Sequence, residues 1–423
     1  MPMSVHILAV LLDFSAGALL VYWCMGLARV FSTAMTVPTV RAGIALAQAG
    51  PPPTERVCVV IPAHNEEVWI EPLIRSLAAQ DYPHLSVVFC LDRCTDATPR
   101  LARDLIAGDP RFTLIEIDHC PAGWAGKVHA VWTGTRSAPA LSADYLLFID
   151  ADTVLEPACI SAAVALLRER GLDLLSLLST LSLRWWFEFL VQPVAGIELI
   201  RQYPISRANR PPGTRRRAFA NGQFMLFRRS AYEAVGGHEA VKDELLEDLA
   251  LARATVDGPG GSHGEGSAGI FLADGMLTCR MYESWRAFWN GWKRIYTEAA
   301  RCNVGRLRRS AFGVAYTGTV LPLLAMVNLV WATAMLCGVY GPGFEWIWRG
   351  WLGAGLSGFG LLAWALVMAA AYRIGRVPLW AFPGSIVGSW LVGRVLAEAA
   401  RDLERGVPTV WAGREYVRVP RES

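Results

Sequence analysis

Charge is scarce in this chain. Asp, Glu, Lys and Arg make up 18% of its 423 residues, whereas 53% are apolar; ordinary soluble domains carry about 25% charged residues. With a mean hydropathy of +0.31, this balance excludes disorder and argues against a simple cytosolic enzyme. Neither sign of charge dominates: Lys+Arg 40 against Asp+Glu 37 leaves +3, which gives no electrostatic case for nucleic acid. Cysteine chemistry is thin too. Nine cysteines include Cys90 and Cys94, but there is no CxxC pair and the seven histidines do not cluster near them. That argues against a zinc site or a disulfide framework and makes most cysteines small buried hydrophobes in a reducing compartment. The charges that remain are unevenly placed and too many for a pure channel. The composition describes a folded polar domain joined to membrane helices.

A span needs about 20 mostly apolar residues. Four stretches qualify or come close. His6 to Ala28 is interrupted by Asp13 and closed by Arg29; without a basic leader or a small-residue cleavage site it reads as an uncleaved anchor. Phe312 to Tyr340 and Trp351 to Ala371 are free of charge, whereas Pro378 to Ala397 carries Pro383 and Arg394 and is open to either crossing or lying at the interface. Arg29 and Arg41 follow the first stretch, Arg301, Arg306, Arg308 and Arg309 precede the second, and Arg373 and Arg376 follow the third. The positive-inside rule then places Arg41 to Ser310 in the cytoplasm, the expected picture being an integral protein of the cell inner membrane. The expected division is an anchor at 1–30, a linker at 31–55, a catalytic domain at 56–300, transmembrane or interfacial helices at 301–400 and a tail at 401–423.

Beyond the linker Ala49-Gly50-Pro51-Pro52-Pro53, Val57 to Ile61 is a short continuous apolar run, as in a strand buried on both faces. A helix with Ile70, Leu73, Ile74 and Leu77 on one face follows. Then come a strand Leu85 to Leu91, a helix through Leu101 and Leu105, a strand Phe112 to Ile117, a helix Gly126 to Ser137 and a strand Tyr145 to Ile149. This alternation predicts an α/β fold with a parallel sheet, in which ligands bind beyond the carboxyl ends of the strands. Asn65 and Glu66, Asp92 and Asp96, and Asp150 and Asp152 all fall at such ends. One acidic strand end is commonplace; three in one sheet point to a functional cleft.

Asp150-Ala151-Asp152 offers two carboxylates at one strand tip, a pattern suited to Mg²⁺ or Mn²⁺ held together with substrate phosphates; taken alone it equally suits capping of the next turn. Asp92 suits a base or ribose, or a turn closed through Thr95. Glu247-Asp248 opens a helical run, where acids favour the positive helix end or supply a general base.

In combination, Val59-Val60-Ile61-Pro62-Ala63-His64-Asn65-Glu66, Asp92, Thr95-Asp96, Asp150-Ala151-Asp152 and Glu247-Asp248 resemble family 2 glycosyltransferases over roughly residues 56–300. These are inverting enzymes with a GT-A fold that use nucleotide sugars. Gly123-Trp124-Ala125-Gly126-Lys127, Asn221 to Phe227, Arg280-Met281-Tyr282 and the tail from Trp411 to Tyr416 resemble the membrane-bound branch that includes ceramide glucosyltransferases and hopanoid- or carotenoid-associated enzymes. The resemblance implies a GT-A domain, Rossmann-like with a mostly parallel sheet, plus transmembrane helices. It puts Pro62, Asn65, Glu66, Asp92, Asp96, Lys127 and Asp150 around a nucleotide sugar, with a UDP-sugar the first expectation. Asp152 becomes the principal ligand of a divalent cation with Asp150 beside it, and Asp248, next to Glu247, the base that activates a lipid hydroxyl.

Two departures stand out. Leu91-Asp92-Arg93-Cys94-Thr95-Asp96 keeps one of the paired acids many relatives show, and the family's Gln/Arg-x-x-Arg-Trp signature is replaced by Trp289-Asn290-Gly291-Trp292-Lys293-Arg294. Trp289, Trp292 and Arg294 there are expected at the membrane interface, near a lipid acceptor or a diphosphate. Asp257 to Gly269, with His263, reads as a mobile loop, and the five arginines of Arg207 to Arg217 as a headgroup contact or a solvated loop. A processive polysaccharide synthase and a non-catalytic membrane transport or scaffold protein are the competing readings.

Overall fold

The structure is a computed structural model that describes residues 3–203, 205–209, 218–257, 267–339, 344–411 and 414–421. The arginines from 210 to 217, the His263 stretch and part of the Trp411 to Tyr416 motif lie outside the described residues.

The apolar runs form the strands their composition predicts. In chain order they are β1 (Val57–Ala63), β2 (Leu85–Asp92), β3 (Phe112–Ile117), β4 (Tyr145–Ile149), β5 (Thr153–Leu155), β6 (Leu174–Leu178), β7 (Thr180–Leu181), β8 (Phe224–Arg228), β9 (Ala268–Leu272) and β10 (Leu277–Cys279). Seven of them build one sheet in the order β3-β2-β1-β4-β8-β6-β9, and β5-β10-β7 form a smaller sheet. β1 runs parallel to both β2 and β4. β8 is antiparallel to β4 and β6, so the sheet is mostly rather than wholly parallel. Ala268 and Gly269, read from composition as the end of a loop, belong to β9 and pair with Leu174 and Leu175.

Alternation explains why the central strands carry no polar face. Val57, Val59 and Ile61 point into one core with Leu73, Phe89, Leu147 and the Cys159–Glu169 helix. Cys58 and Val60 point into the other with Val128, Val131, Phe148 and Leu251. Helices cover both faces, as a continuous apolar strand requires. At about 25 cal/mol per Å² of apolar surface, these two layers are the main stabilising contribution of the polar domain.

Among the described residues, four helices are long and apolar enough to cross a membrane: His6–Met35, Val304–Leu336, Ile347–Ile374 and Leu379–Glu404. The first three pack together through Leu19, Trp23, Leu321, Ala325, Trp364 and Val367, while Phe14, Val330 and Phe359 stand 65–76% exposed, as lipid-facing side chains would. The second span contains one wide π turn at Tyr316–Val320 just before Pro322, where a missing N–H and a ring clash disturb the ordinary ladder. The fourth differs: Val392, Val395, Leu396 and Ala399 pack against Phe288, Trp292 and Tyr296 of the Trp285–Ala299 helix.

Candidate active site

The carboxyl ends of β1, β2 and β4 meet the start of the Glu247–Asp257 helix. At their centre is Lys127, at the N-terminal end of the Gly126–Thr135 helix. Its Nζ lies 2.7 Å from Asp150 Oδ1 and 2.7 Å from Glu247 Oε1. Lys127 thus joins the acids after β4 to the acids that open the helix. Gly222, in the turn before β8, closes the same cluster: its N–H donates to Asp248 Oδ2 at 2.9 Å. A Cβ at Gly222 would stand 3.1 Å from Lys127 Nζ and 3.4 Å from Asp248 Oδ2, so a side chain here would press on both groups.

The carboxylates differ in their electrostatics. Burial, then Glu247, pushes the Asp248 carboxyl up to about 6, although Lys127 and the Gly222 and Leu249 N–H groups pull the other way. Burial and the neighbouring Asp150 likewise raise Asp152 to about 6. Burial also acts on Glu247, but the Lys127 ammonium outweighs it and holds this carboxyl below its usual range. Glu66 rises to about 8, first through burial and then through Asp152 and Asp150. An isolated buried carboxylate is costly; here a single ammonium compensates two acids and leaves Asp152 and Asp248 poised near neutrality, where acid–base groups are most useful.

Asp152 is held by its backbone carbonyl, which accepts from Arg280 N–H at 3.0 Å, and by the Cys279 thiol, 3.4 Å from Oδ2. Its Oδ1 is buried without a hydrogen-bond partner among the described residues. Among the described residues no group of three His, Cys, Asp or Glu surrounds a point that could hold a metal. A cation here would therefore rest on few protein oxygens and on the phosphates of a ligand, and the buried, unpartnered Asp152 oxygen fits that arrangement.

The residues expected around the nucleotide form one wall. Pro62, the one partly exposed residue of β1, stands beside Cys90 of β2. Asn65, at φ 58°, accepts the Thr95 N–H through Oδ1 at 2.8 Å; it, not Asp92, braces that turn. Asp92 instead takes the Arg93 guanidinium in a two-pronged pair at 2.8 and 2.6 Å. Asp96 accepts from the Thr98 and Glu67 N–H groups and so starts the Thr98–Ile106 helix.

The aromatic–cationic segment has two destinations. Trp289 Nε1 donates to Glu398 at 3.1 Å, and Lys293 pairs with Glu398 and Asp402 at 2.8 and 2.7 Å, tying this helix to the fourth span. Trp292, expected at the membrane interface, is buried against Phe288 and Tyr296. Arg294 turns toward the site, near the Leu245 carbonyl, and adds positive field at Asp150. Exposed tryptophans stand elsewhere: Trp185, Trp186 and Trp380. Sequence reasoning passed over them, and over Cys279, because nothing in their local pattern marks a site.

The model of the family "Glycosyl transferase family 2" matches residues 58–236. The 4,4'-diaponeurosporenoate glycosyltransferase of Staphylococcus aureus strain USA300 is 27% identical over 255 residues, which is 57% of this chain and 61% of that protein; strain RF122's enzyme is 26% identical over the same coverage. The chain thus spans 61% of the length of these curated relatives. Among solved structures, a Pyrobaculum calidifontis mannosyltransferase in complex with GDP-Man and Mn²⁺ is 18% identical with a TM-score of 0.45, covering 92% of this chain and 99% of that one. A Mycobacterium tuberculosis glucosyl-3-phosphoglycerate synthase with Mn²⁺ and UDP is 19% identical with a TM-score of 0.38, covering 61% and 82%.

Proposed function

We propose, from the premise that residues 58–236 carry a family 2 glycosyl transferase domain, that the protein is an inverting transferase. In this reading it moves a sugar from a nucleotide donor to a hydroxyl of a membrane lipid. The observation that carries it is the linked set Asp150–Lys127–Glu247 with Asp248 beside it, set at the carboxyl end of a sheet. The four long apolar helices and the diaponeurosporenoate named for the Staphylococcus relatives support a lipid acceptor, in the hopanoid, carotenoid or sphingolipid-like range. The catalytic face is on the cytoplasmic side of the inner membrane, where nucleotide sugars are made.

Asp248 accepts the proton of the attacking hydroxyl as its oxygen bonds the anomeric carbon. The bond from that carbon to the nucleoside diphosphate breaks, and the configuration inverts. Pro62, Asn65, Glu66, Asp92 and Asp96 shape the nucleotide pocket, with a UDP-sugar the first donor to try. Lys127 is committed to two carboxylates, so its role is to fix Asp150 and Glu247 rather than to bind phosphate alone. Asp152, with Asp150, would hold Mg²⁺ or Mn²⁺, which when bound offsets charge on the departing diphosphate.

The test is to incubate membranes containing the protein with a panel of nucleotide sugars and lipid extract, with and without chelator, and to identify products by mass spectrometry. A glycosylated lipid that disappears with chelator and in Asp152→Ala is the expected result. Turnover that survives chelation would overturn the cation assignment, and no product from any donor would overturn the activity.

A further inference from the structure

A cavity opens at Arg280, whose N–H bonds the Asp152 carbonyl. It has a volume of about 150 Å³, and its lining includes Trp69, Arg184, Trp185, Glu188, Arg280 and Tyr282. Arg280 directly follows β10, and Cys279, the last residue of that strand, touches the Asp152 carboxylate.

Three features separate this pocket from ordinary surface. First, its cations are uncommitted. The Arg280 guanidinium lies over the face of Trp69, 5.2 Å from the ring centroid, and neither it nor Arg184 forms an ion pair among the described residues. Glu188, also in the lining, spends its two oxygens on Ser182 Oγ and on the Arg184 and Trp185 N–H groups and forms no ion pair with either guanidinium among the described residues. Second, the Tyr282 hydroxyl is buried and has no hydrogen-bond partner among the described residues. The hydroxyl edge of its ring abuts Gly291, where a Cβ would collide with it. Third, the outer lip is aromatic and exposed. Trp185 and Trp186 are 47% and 51% exposed, and Phe189 of the same segment stacks on Trp380, itself 71% exposed, at the start of the fourth span. Such an aromatic belt belongs at the level of lipid headgroups.

The cavity is too small for a fused-ring or acyl skeleton and large enough for a compact polar end group. Its free guanidiniums match an oxyanion in geometry and charge. We propose that this pocket receives the polar end of the lipid acceptor beside Asp152, and that Arg280 and Arg184 select an amphiphile whose polar end carries a carboxylate or phosphate. The apolar body then lies along the tryptophan lip and the fourth span. The assignment rests on the reading that the acceptor is a lipid, and it is tested without sugar transfer.

The full-length protein in neutral nanodiscs is titrated with labelled hexadecanoate, hexadecyl phosphate and hexadecanol, and with inorganic phosphate. The expected result is that at least one anionic amphiphile binds about tenfold or more tightly than the alcohol. Whichever of the two gains more identifies the oxyanion. Arg280→Gln should erase that preference, Arg280→Lys should keep part of it, and Arg184→Gln, at an exposed side chain, should weaken it with the fold intact. Equal binding of acid and alcohol by the wild type would overturn the proposal. So would a preference untouched by all three variants, and so would inorganic phosphate binding as tightly as hexadecyl phosphate. If Arg280→Gln weakens UDP binding but not amphiphile binding, the arginine serves the donor and the proposal fails. Because no nucleotide sugar is present in the amphiphile titrations, failure of the transferase reading would show separately, as absence of product with intact amphiphile selection.

Discussion

Polar groups are buried in two places in this molecule, and they are buried differently. At the carboxyl end of the sheet, Asp150, Glu247, Asp248 and Asp152 crowd around one ammonium. Two of these carboxyls are raised to about 6 and one Asp152 oxygen is left without a partner. Between the first three spans, Asn328 sits 1% exposed and uses its amide N–H groups on Asp13 Oδ1 and Ser357 Oγ, both at 3.2 Å. Gly353 lets the helices close there, since a Cβ would stand 2.9 Å from Asp13 Oδ1. The intramembrane trio closes its hydrogen bonds among its own members; the sheet end keeps capacity in reserve. Unspent hydrogen-bonding and charge capacity is what distinguishes a reactive site from a structural clasp.

That contrast is broken most severely at Asp248. Asp248→Asn should lower kcat by about 10²–10⁴-fold, the range for a lost general base, with the donor KM within about threefold, a shift of under roughly 1 kcal/mol. The wild-type pH profile carries the same information. A carboxyl whose folded pKa is raised to about 6 is the active base above that value and becomes the inert acid below it. Hence kcat/KM should fall tenfold per pH unit below about 6. An Asp248→Asn enzyme with full activity, or an acid limb near 4, would end the base assignment.

Next in size is Lys127→Met, which tests whether the ammonium is the keystone. Breaking a buried ion pair by removing one partner costs about 3–5 kcal/mol. Lys127 is 19% exposed and Asp150 28%, so the lower end of that range is expected as a fall in thermal stability. The sign with pH is definite. Glu247 is held below its usual range chiefly against burial by Lys127, so its share of stability is present at neutral pH and is lost as pH falls through its folded pKa. Lys127→Met removes that share and should flatten the acid side of the stability curve. Lys127 also lowers the Asp248 carboxyl, so the acid limb of activity should move upward. Unchanged stability and pH profile would mean that the cluster does not depend on its cation.

Much of the sheet end was legible beforehand because strands buried on both faces announce themselves. Val57 to Ile61, Leu85 to Leu91 and Tyr145 to Ile149 are all strands, and the acids after them meet in space. The apolar spans were legible for the same reason, although the first extends to Met35 and the second begins at Val304, further than hydropathy alone suggested. Pairwise chemistry was not legible. No local pattern shows that Asp92 is taken up by its neighbour Arg93, that Asn65 braces Thr95, or that Lys127 reaches across to Glu247, since these depend on which loops the sheet brings together. Trp292 misled because an aromatic–cationic run serves an interface and a packed helix face equally well, and only its contacts with Phe288 and Tyr296 decide. Asp13 was visible as a charge in a span, but its partners, more than 300 residues away in Asn328's case, were not.

The smallest effect is expected at that second place. Interhelical hydrogen bonds in membranes contribute about 0.6 kcal/mol each, with a maximum near 1.7. Asp13→Asn preserves shape and most of the bonding, so unfolding in detergent should change by less than about 1 kcal/mol. Asp13→Leu, which removes the acceptor but keeps an apolar contact, should stay below about 2 kcal/mol. Transfer by both variants should match the wild type at every pH, because Asp13 lies in the first span and its side chain bonds Asn328 of the second. If Asp13→Asn instead stops transfer while leaving the fold and the nucleotide site intact, the trio is no clasp. A polar path through the spans would then have to be part of the function, and the distinction between saturated and unsaturated burial would fail as a guide to where this protein works.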